Sequence, residues 1–201
     1  MRTLLTLCAL AGALHTTAQI SVGPFAGLHY ARYSLDNTLG SMGYHVGVVG
    51  EISLNEHFAV QPAIAYVRNV YLSVVPAPFG KVAINTLQIP AQVIWRPGKS
   101  ERKRFFMGIG AYAAAHLSAS TRFHYLDPLG NTTLERKGIE IGNDTPATIK
   151  MLDFGLTVSV GYNITRQTFL RAGFRRGLAD ISPKSPGTAS SYAVELSVAY
   201  L

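Results

Sequence analysis

Along eight stretches of the chain every second side chain is apolar, and the residues between are Gly, Ala, Ser, Thr or isolated charges. The clearest runs from Leu152 to Ile164, where Leu152, Phe154, Leu156, Val158, Val160, Tyr162 and Ile164 alternate with Asp153, Gly155, Thr157, Ser159, Gly161 and Asn163. A period of two marks a strand, whose successive side chains point to opposite faces. The pattern predicts strands over 20–33, 43–54, 57–73, 81–96, 104–121, 150–164, 167–178 and 190–201.

A water-soluble barrel would turn the apolar face inward and need a charged exterior. Only 14% of residues here are charged, and the polar face of the strands is mostly small. Lipid is therefore the expected solvent of the apolar face. Unpaired backbone amides are intolerable in hydrocarbon, so strands that span must close on themselves. The expected fold is all-β: an eight-stranded antiparallel up-and-down transmembrane β-barrel. A tilted strand needs about 10 residues to cross the apolar band, and every stretch is long enough.

The connections alternate in length. Those at 55–56, 97–103 and 165–166 are short, and those at 34–42, 74–80, 122–149 and 179–189 are longer. Short turns mark the periplasmic side, and an even strand number puts both chain ends there. Aromatic residues gather at two levels, as interface girdles do: Phe58, Trp95, Phe105, Tyr162 and Tyr200 near the short turns, and Tyr30, Tyr33, Tyr44, Phe123 and Tyr192 near the longer loops.

Ahead of the first strand, Met1 and Arg2 lead into an apolar run from Thr3 to Leu14, then His15, Thr16, Thr17 and Ala18. This has the form of a cleaved signal peptide over 1–18, with small Thr16 and Ala18 before the cut, followed by one outer-membrane barrel domain over 19–201. The single cysteine, Cys8, leaves with that segment, so no thiol is expected for disulfide, metal or nucleophilic chemistry. Lys and Arg total 18 against 11 Asp and Glu, a formal net charge of +7, and removal of the segment takes only Arg2. Cations scattered among strands and turns of an exported chain suit an anionic membrane surface; no nucleic acid is expected as a partner.

Five segments, YHVGVVGEISLNEHFAVQPAIAYVRN (44–69), NTLQIPAQVIWRPG (85–98), FFMGIGAYAAAHLSA (105–119), LDFGLTVSVGYNI (152–164) and LRAGFRRGLADIS (170–182), resemble the PorT-type outer-membrane β-barrel family in order and spacing. The resemblance implies an outer-membrane barrel in a family whose best-known members assist a protein secretion apparatus. It implies neither catalysis nor a transferable set of functional residues. Barrels often end in an aromatic residue; here Tyr200 is penultimate and Leu201 last.

Eight strands enclose a lumen just wide enough to be filled by its own side chains. Parity places Glu51, Arg96, Asp153, Arg171, Arg175 and Glu195 inside, three acids facing three arginines. Pairing is what burial of charge requires, so this network is expected to be structural. The turn at 165–166 predicts Gly155 opposite Arg175, with Asp153 diagonally within reach of it. His29 and His45 also face inward and flank the first loop, but a metal site wants three or four ligands; neither a metal nor a cofactor is expected.

The one enzymatic alternative is a lipid-modifying hydrolase, akin to lipid-A deacylases, using His116 as base and Ser118 as nucleophile on one strand face. Against it, parity turns both inward, away from a lipid substrate. A narrow pore is the other alternative. Two surfaces are candidates for contact: the 122–149 segment, since function concentrates in loops held by a rigid scaffold, and the basic turn with Lys99, Arg102, Lys103 and Arg104, suited to anionic lipid headgroups or an acidic protein. The expected role is a non-enzymatic envelope or secretion-associated protein whose partners are outer-membrane lipids and a component of the envelope or secretion machinery.

Overall fold

The computed structural model describes residues 19–33, 38–73, 80–97, 104–126, 132–142, 150–179 and 190–201, and these form nine strands. They are β1 (Ile20–Tyr33), β2 (Thr38–Ser53), β3 (Phe58–Ser73), β4 (Gly80–Trp95), β5 (Phe105–Leu126), β6 (Thr132–Ile139), β7 (Leu152–Asn163), β8 (Thr168–Gly177) and β9 (Ser191–Tyr200). All except β6 pair antiparallel with their chain neighbours around a ring, and β1 closes against β9 from Phe25↔Ala199 to Tyr33↔Ser191. The result is a closed eight-stranded barrel.

The period of two decides which face is which. Along β7, Asp153, Gly155, Thr157, Ser159 and Gly161 are buried inside while Phe154, Leu156, Val158, Val160 and Tyr162 are exposed outside. The same holds around the ring, with Ile20, Ile109 and Leu196 each at least 60% exposed. An apolar exterior of this extent suits burial in acyl chains. Phe58, Trp95, Phe105, Tyr162 and Tyr200 form an outward aromatic belt at the short-turn end.

Local chemistry sets two short turns. The Asn55 side-chain oxygen accepts from the amides of His57 (2.8 Å) and Phe58 (2.9 Å), an Asx-type turn between β2 and β3. Between β7 and β8 the Thr165 hydroxyl accepts from the amides of Gln167 (3.1 Å) and Thr168 (2.9 Å). This turn closes over 165–167 rather than 165–166, because the Ile164 amide donates to the Thr168 carbonyl. In the ladder that follows, Thr157, not Gly155, lies opposite Arg175, and Gly155 meets Gly177.

At the long-loop end the strands continue past the length that crosses a membrane. Within the 122–149 segment β5 runs on to Leu126, and β6 returns along it from Leu126↔Thr132 to Ala119↔Ile139. Where β6 ends, β7 takes its place on the same edge of β5, starting at Ala115↔Leu152. One irregularity matters for function. Asn85 pairs with Ser118 but Thr86 with His116, so Leu117 is an extra residue in β5, a β-bulge.

Candidate functional site

The lumen has a polar middle between two apolar clusters. At the short-turn end Phe106, Phe169, Ile94, Ala59 and Ala199 are buried together, with the Phe106 and Phe169 rings edge to face at 5.4 Å. A Cβ at Gly161 would fall on the Phe106 ring, so glycine there lets the ring lie flat against the wall. At the long-loop end Ala31, Tyr71, Ile84, Ala119 and Ala193 form the second cluster, and Ile139 and Ile141 pack against it. The end of β6 and the residues just after it thus pack onto the cluster at this end of the lumen.

The charges expected inside are inside, and most meet a partner. Arg96 donates to Glu51 at 2.5 Å, and Gln61 donates to the same carboxylate oxygen at 2.7 Å. Arg175 pairs with Glu195 at 2.9 Å and also donates to the Gln88 side-chain oxygen. The Arg171 guanidinium lies 5.6 Å from the centroid of the Phe25 ring. Asp153 is held differently from the sequence expectation: the Tyr112 hydroxyl donates to it at 3.1 Å, and Arg175 stacks over that tyrosine ring at 5.4 Å. Below this level Gln92 donates to Thr157 (3.0 Å) and accepts from Ser159 (2.8 Å), a bridge across the barrel. Two small internal cavities of about 10 and 30 Å³ lie along this polar middle.

His29 and His45 meet as parity predicts. Their Nδ1 atoms are 3.4 Å apart, the rings stack at 5.6 Å between centroids, and His45 Nε2 contacts the Ser197 hydroxyl at 2.8 Å. Each ring lies over the glycine opposite it in the ladder, His45 over Gly27 and His29 over Gly43, where a Cβ would collide with the imidazole. Sequence reasoning found the histidines but not these glycine seats, which the pairing of Gly27 with His45 and His29 with Gly43 makes visible. No group of three or more metal-ligating His, Cys, Asp or Glu side chains occurs among the described residues.

The bulge at Leu117 corrects the placement of His116 and Ser118. His116 is buried in the lumen with Nδ1 2.9 Å from the Thr86 hydroxyl, whereas Ser118 is exposed on the outer face and accepts from the Asn85 amide at 2.8 Å. An extra residue reverses parity, so base and hydroxyl stand on opposite sides of the wall and cannot act on one another. The hydrolase arrangement is absent. Of the basic turn, Arg104 is exposed with its guanidinium 3.4 Å from the Tyr162 hydroxyl, while Lys99, Arg102 and Lys103 lie outside the described residues.

Solved structures share this architecture. Ail, the attachment invasion locus protein of Yersinia pestis, seen in complex with the heparin analogue sucrose octasulfate, aligns over 92% of this chain and 99% of its own at 12% identity, with a TM-score of 0.51. The outer membrane protein OprG of Pseudomonas aeruginosa aligns over 92% of this chain and 94% of its own at 12% identity, with a TM-score of 0.50. At such identities the likeness is one of fold. No curated protein matches the chain. The outer membrane protein β-barrel domain matches residues 15–182, and the chain belongs to that outer-membrane family.

Proposed function

We propose that this protein is a non-enzymatic outer-membrane barrel that acts by contact at its surfaces, as a structural or interaction component of the envelope, after export by a signal peptide over 1–18. Its short-turn end faces the periplasm, and its long-loop end, with the β5–β6 hairpin, faces outward. The lumenal network of Glu51, Arg96, Asp153, Arg171, Arg175 and Glu195 is structural on this reading. The observation that supports it is the packing of the lumen, with apolar clusters towards both ends and ion-paired side chains between them. The resemblance to PorT-type barrels favours a partner in a secretion apparatus, met either by the β5–β6 hairpin or by the turn with Lys99, Arg102, Lys103 and Arg104.

The alternative of a narrow pore and the contact reading separate cleanly by planar-bilayer recording. Purified barrel is expected to give no stable unitary conductance, and a reproducible conductance would overturn the reading. Photo-crosslinkers placed at 132–139 in living cells should trap a discrete protein partner. A hairpin that traps none, together with a turn at 99–104 that traps none, would reduce the protein to a passive wall element.

A further inference from the structure

Every acidic side chain within the barrel strands β1–β5 and β7–β9 is inside: Glu51, Asp153 and Glu195. The outer face at the long-loop end carries cations instead, Arg32, Arg68, Lys81, Arg122 and Arg176. Three of these, Arg68, Lys81 and Arg122, lie on the adjacent strands β3, β4 and β5, and Lys81 stands directly opposite Arg122. Like charges facing each other across a ladder, with Cβ atoms about 4.5–5.5 Å apart, repel and destabilise a sheet. Lys81 and Arg122 are exposed and have no ion-pair partner among the described residues.

Below that pair the wall is built to donate. Arg68 donates to the Asn85 side-chain oxygen at 3.2 Å, and Asn85 in turn donates to the Ser118 hydroxyl at 2.8 Å. Ser118 therefore accepts here, and its exposed hydroxyl retains a hydrogen to donate. Between the two levels stand small residues, Ala83 opposite Ser120 and Ser120 opposite Gly138, where a Cβ on Gly138 would meet nothing. The bulge at Leu117 is what makes this face continuous, since it brings Ser118, Ser120 and Arg122 outward together.

The height fits one kind of occupant. From Trp95 at the lower aromatic belt, β4 climbs about 26 Å to Asn85 and about 36 Å to Lys81, at about 3.4 Å per residue and 40° of tilt. The apolar band is about 25 Å tall. Asn85 and Ser118 therefore sit at its upper edge, and Lys81 and Arg122 stand in the headgroup layer above it.

We propose that the outward face formed by Arg68, Lys81, Asn85, Ser118 and Arg122 is a binding site for a phosphorylated glycolipid of the outer leaflet. The lipid's phosphates are held between Lys81 and Arg122, which relieves their repulsion by charge-assisted hydrogen bonds. The Asn85–Ser118 pair meets the polar linkage beneath, and the acyl chains lie on the apolar wall. The site rests on the proposed orientation, which is read separately by labelling whole cells through a tag inserted at 127–131.

The test uses the refolded full barrel in detergent micelles with bis-phosphorylated lipid A as probe, and native mass spectrometry to count retained lipid. The double variant K81Q/R122Q should bind about 25-fold more weakly, each surface cation contributing about fivefold. R32Q/R176Q on the opposite wall should bind as the parent does. Unchanged heat-modifiable gel mobility verifies that each variant is folded. On the parent protein, removing the lipid's phosphates should weaken binding comparably, and inorganic phosphate at equal concentration should not displace the lipid. Parent-like binding by K81Q/R122Q, equal binding of dephosphorylated lipid, or displacement by equimolar free phosphate would each overturn the assignment.

Discussion

Arg175 and Lys81 carry the same charge on the same barrel, one in the lumen and one on the outer wall, and their surroundings answer that charge differently. Arg175 is 7% exposed and is met by Glu195, Gln88 and the Tyr112 ring. Lys81 faces another cation and no acid among the described residues. The difference follows from what each charge can do when unpaired. In a narrow interior it would be desolvated at a cost of several kcal/mol, so folding requires a partner within the chain. At the headgroup layer water and lipid supply the partner, so the chain need not.

Breaking the inner arrangement should therefore cost most. Glu195→Ala removes the carboxylate that pairs with buried Arg175 and is expected to lower stability by about 3–5 kcal/mol, read as the shift in urea midpoint of the barrel refolded in lipid vesicles. Replacing both residues of the pair by apolar ones of similar size should recover much of that loss; if it does not, pairing is not what stabilises the middle of the lumen. Next comes the wall itself. Val158→Arg places a charge among acyl chains on the outer face of β7 and should cost about 2–4 kcal/mol near the bilayer midplane by the same measurement. A neutral outcome would show that this face does not meet lipid.

Smaller effects sharpen the contrast between the two faces. Gly161→Ala pushes a methyl into the Phe106 ring and should destabilise by about 1–3 kcal/mol through overpacking. Gly138→Ala, whose Cβ meets open space, should change the urea midpoint little. Thr165→Ala removes two side-chain to amide bonds in an exposed turn and is expected to cost about 1 kcal/mol, seen best as faster unfolding of the β7–β8 hairpin by hydrogen exchange.

Alternation made the barrel legible because each face contacts a single environment. The boundaries of β1 coincide with the alternating stretch, and β7 keeps strict parity from end to end. Parity also placed Glu51, Arg96, Arg175 and Glu195 on the inner face, but which acid meets which arginine depends on register and not on counting along one strand. Counting fails where a residue is inserted. Leu117 displaced what followed, which is why Ser118 left the lumen, and the extra turn residue at Gln167 moves the β7–β8 ladder by one, from Leu156 opposite Arg175 in a two-residue turn to Thr157. Neither insertion has a side-chain signature that alternation can register. The β6 segment TTLERKGI was hidden for another reason: it stands beyond the hydrocarbon, where neither face must be apolar.

The seam between β1 and β9 joins the beginning of the folded chain to its end. Until the ten residues of β9 arrive, the growing sheet has two open borders whose amides cannot be left bare in oil. Assembly in the bilayer is thus tied to completion: a polypeptide truncated before Ser191 has no shape that a membrane will accept.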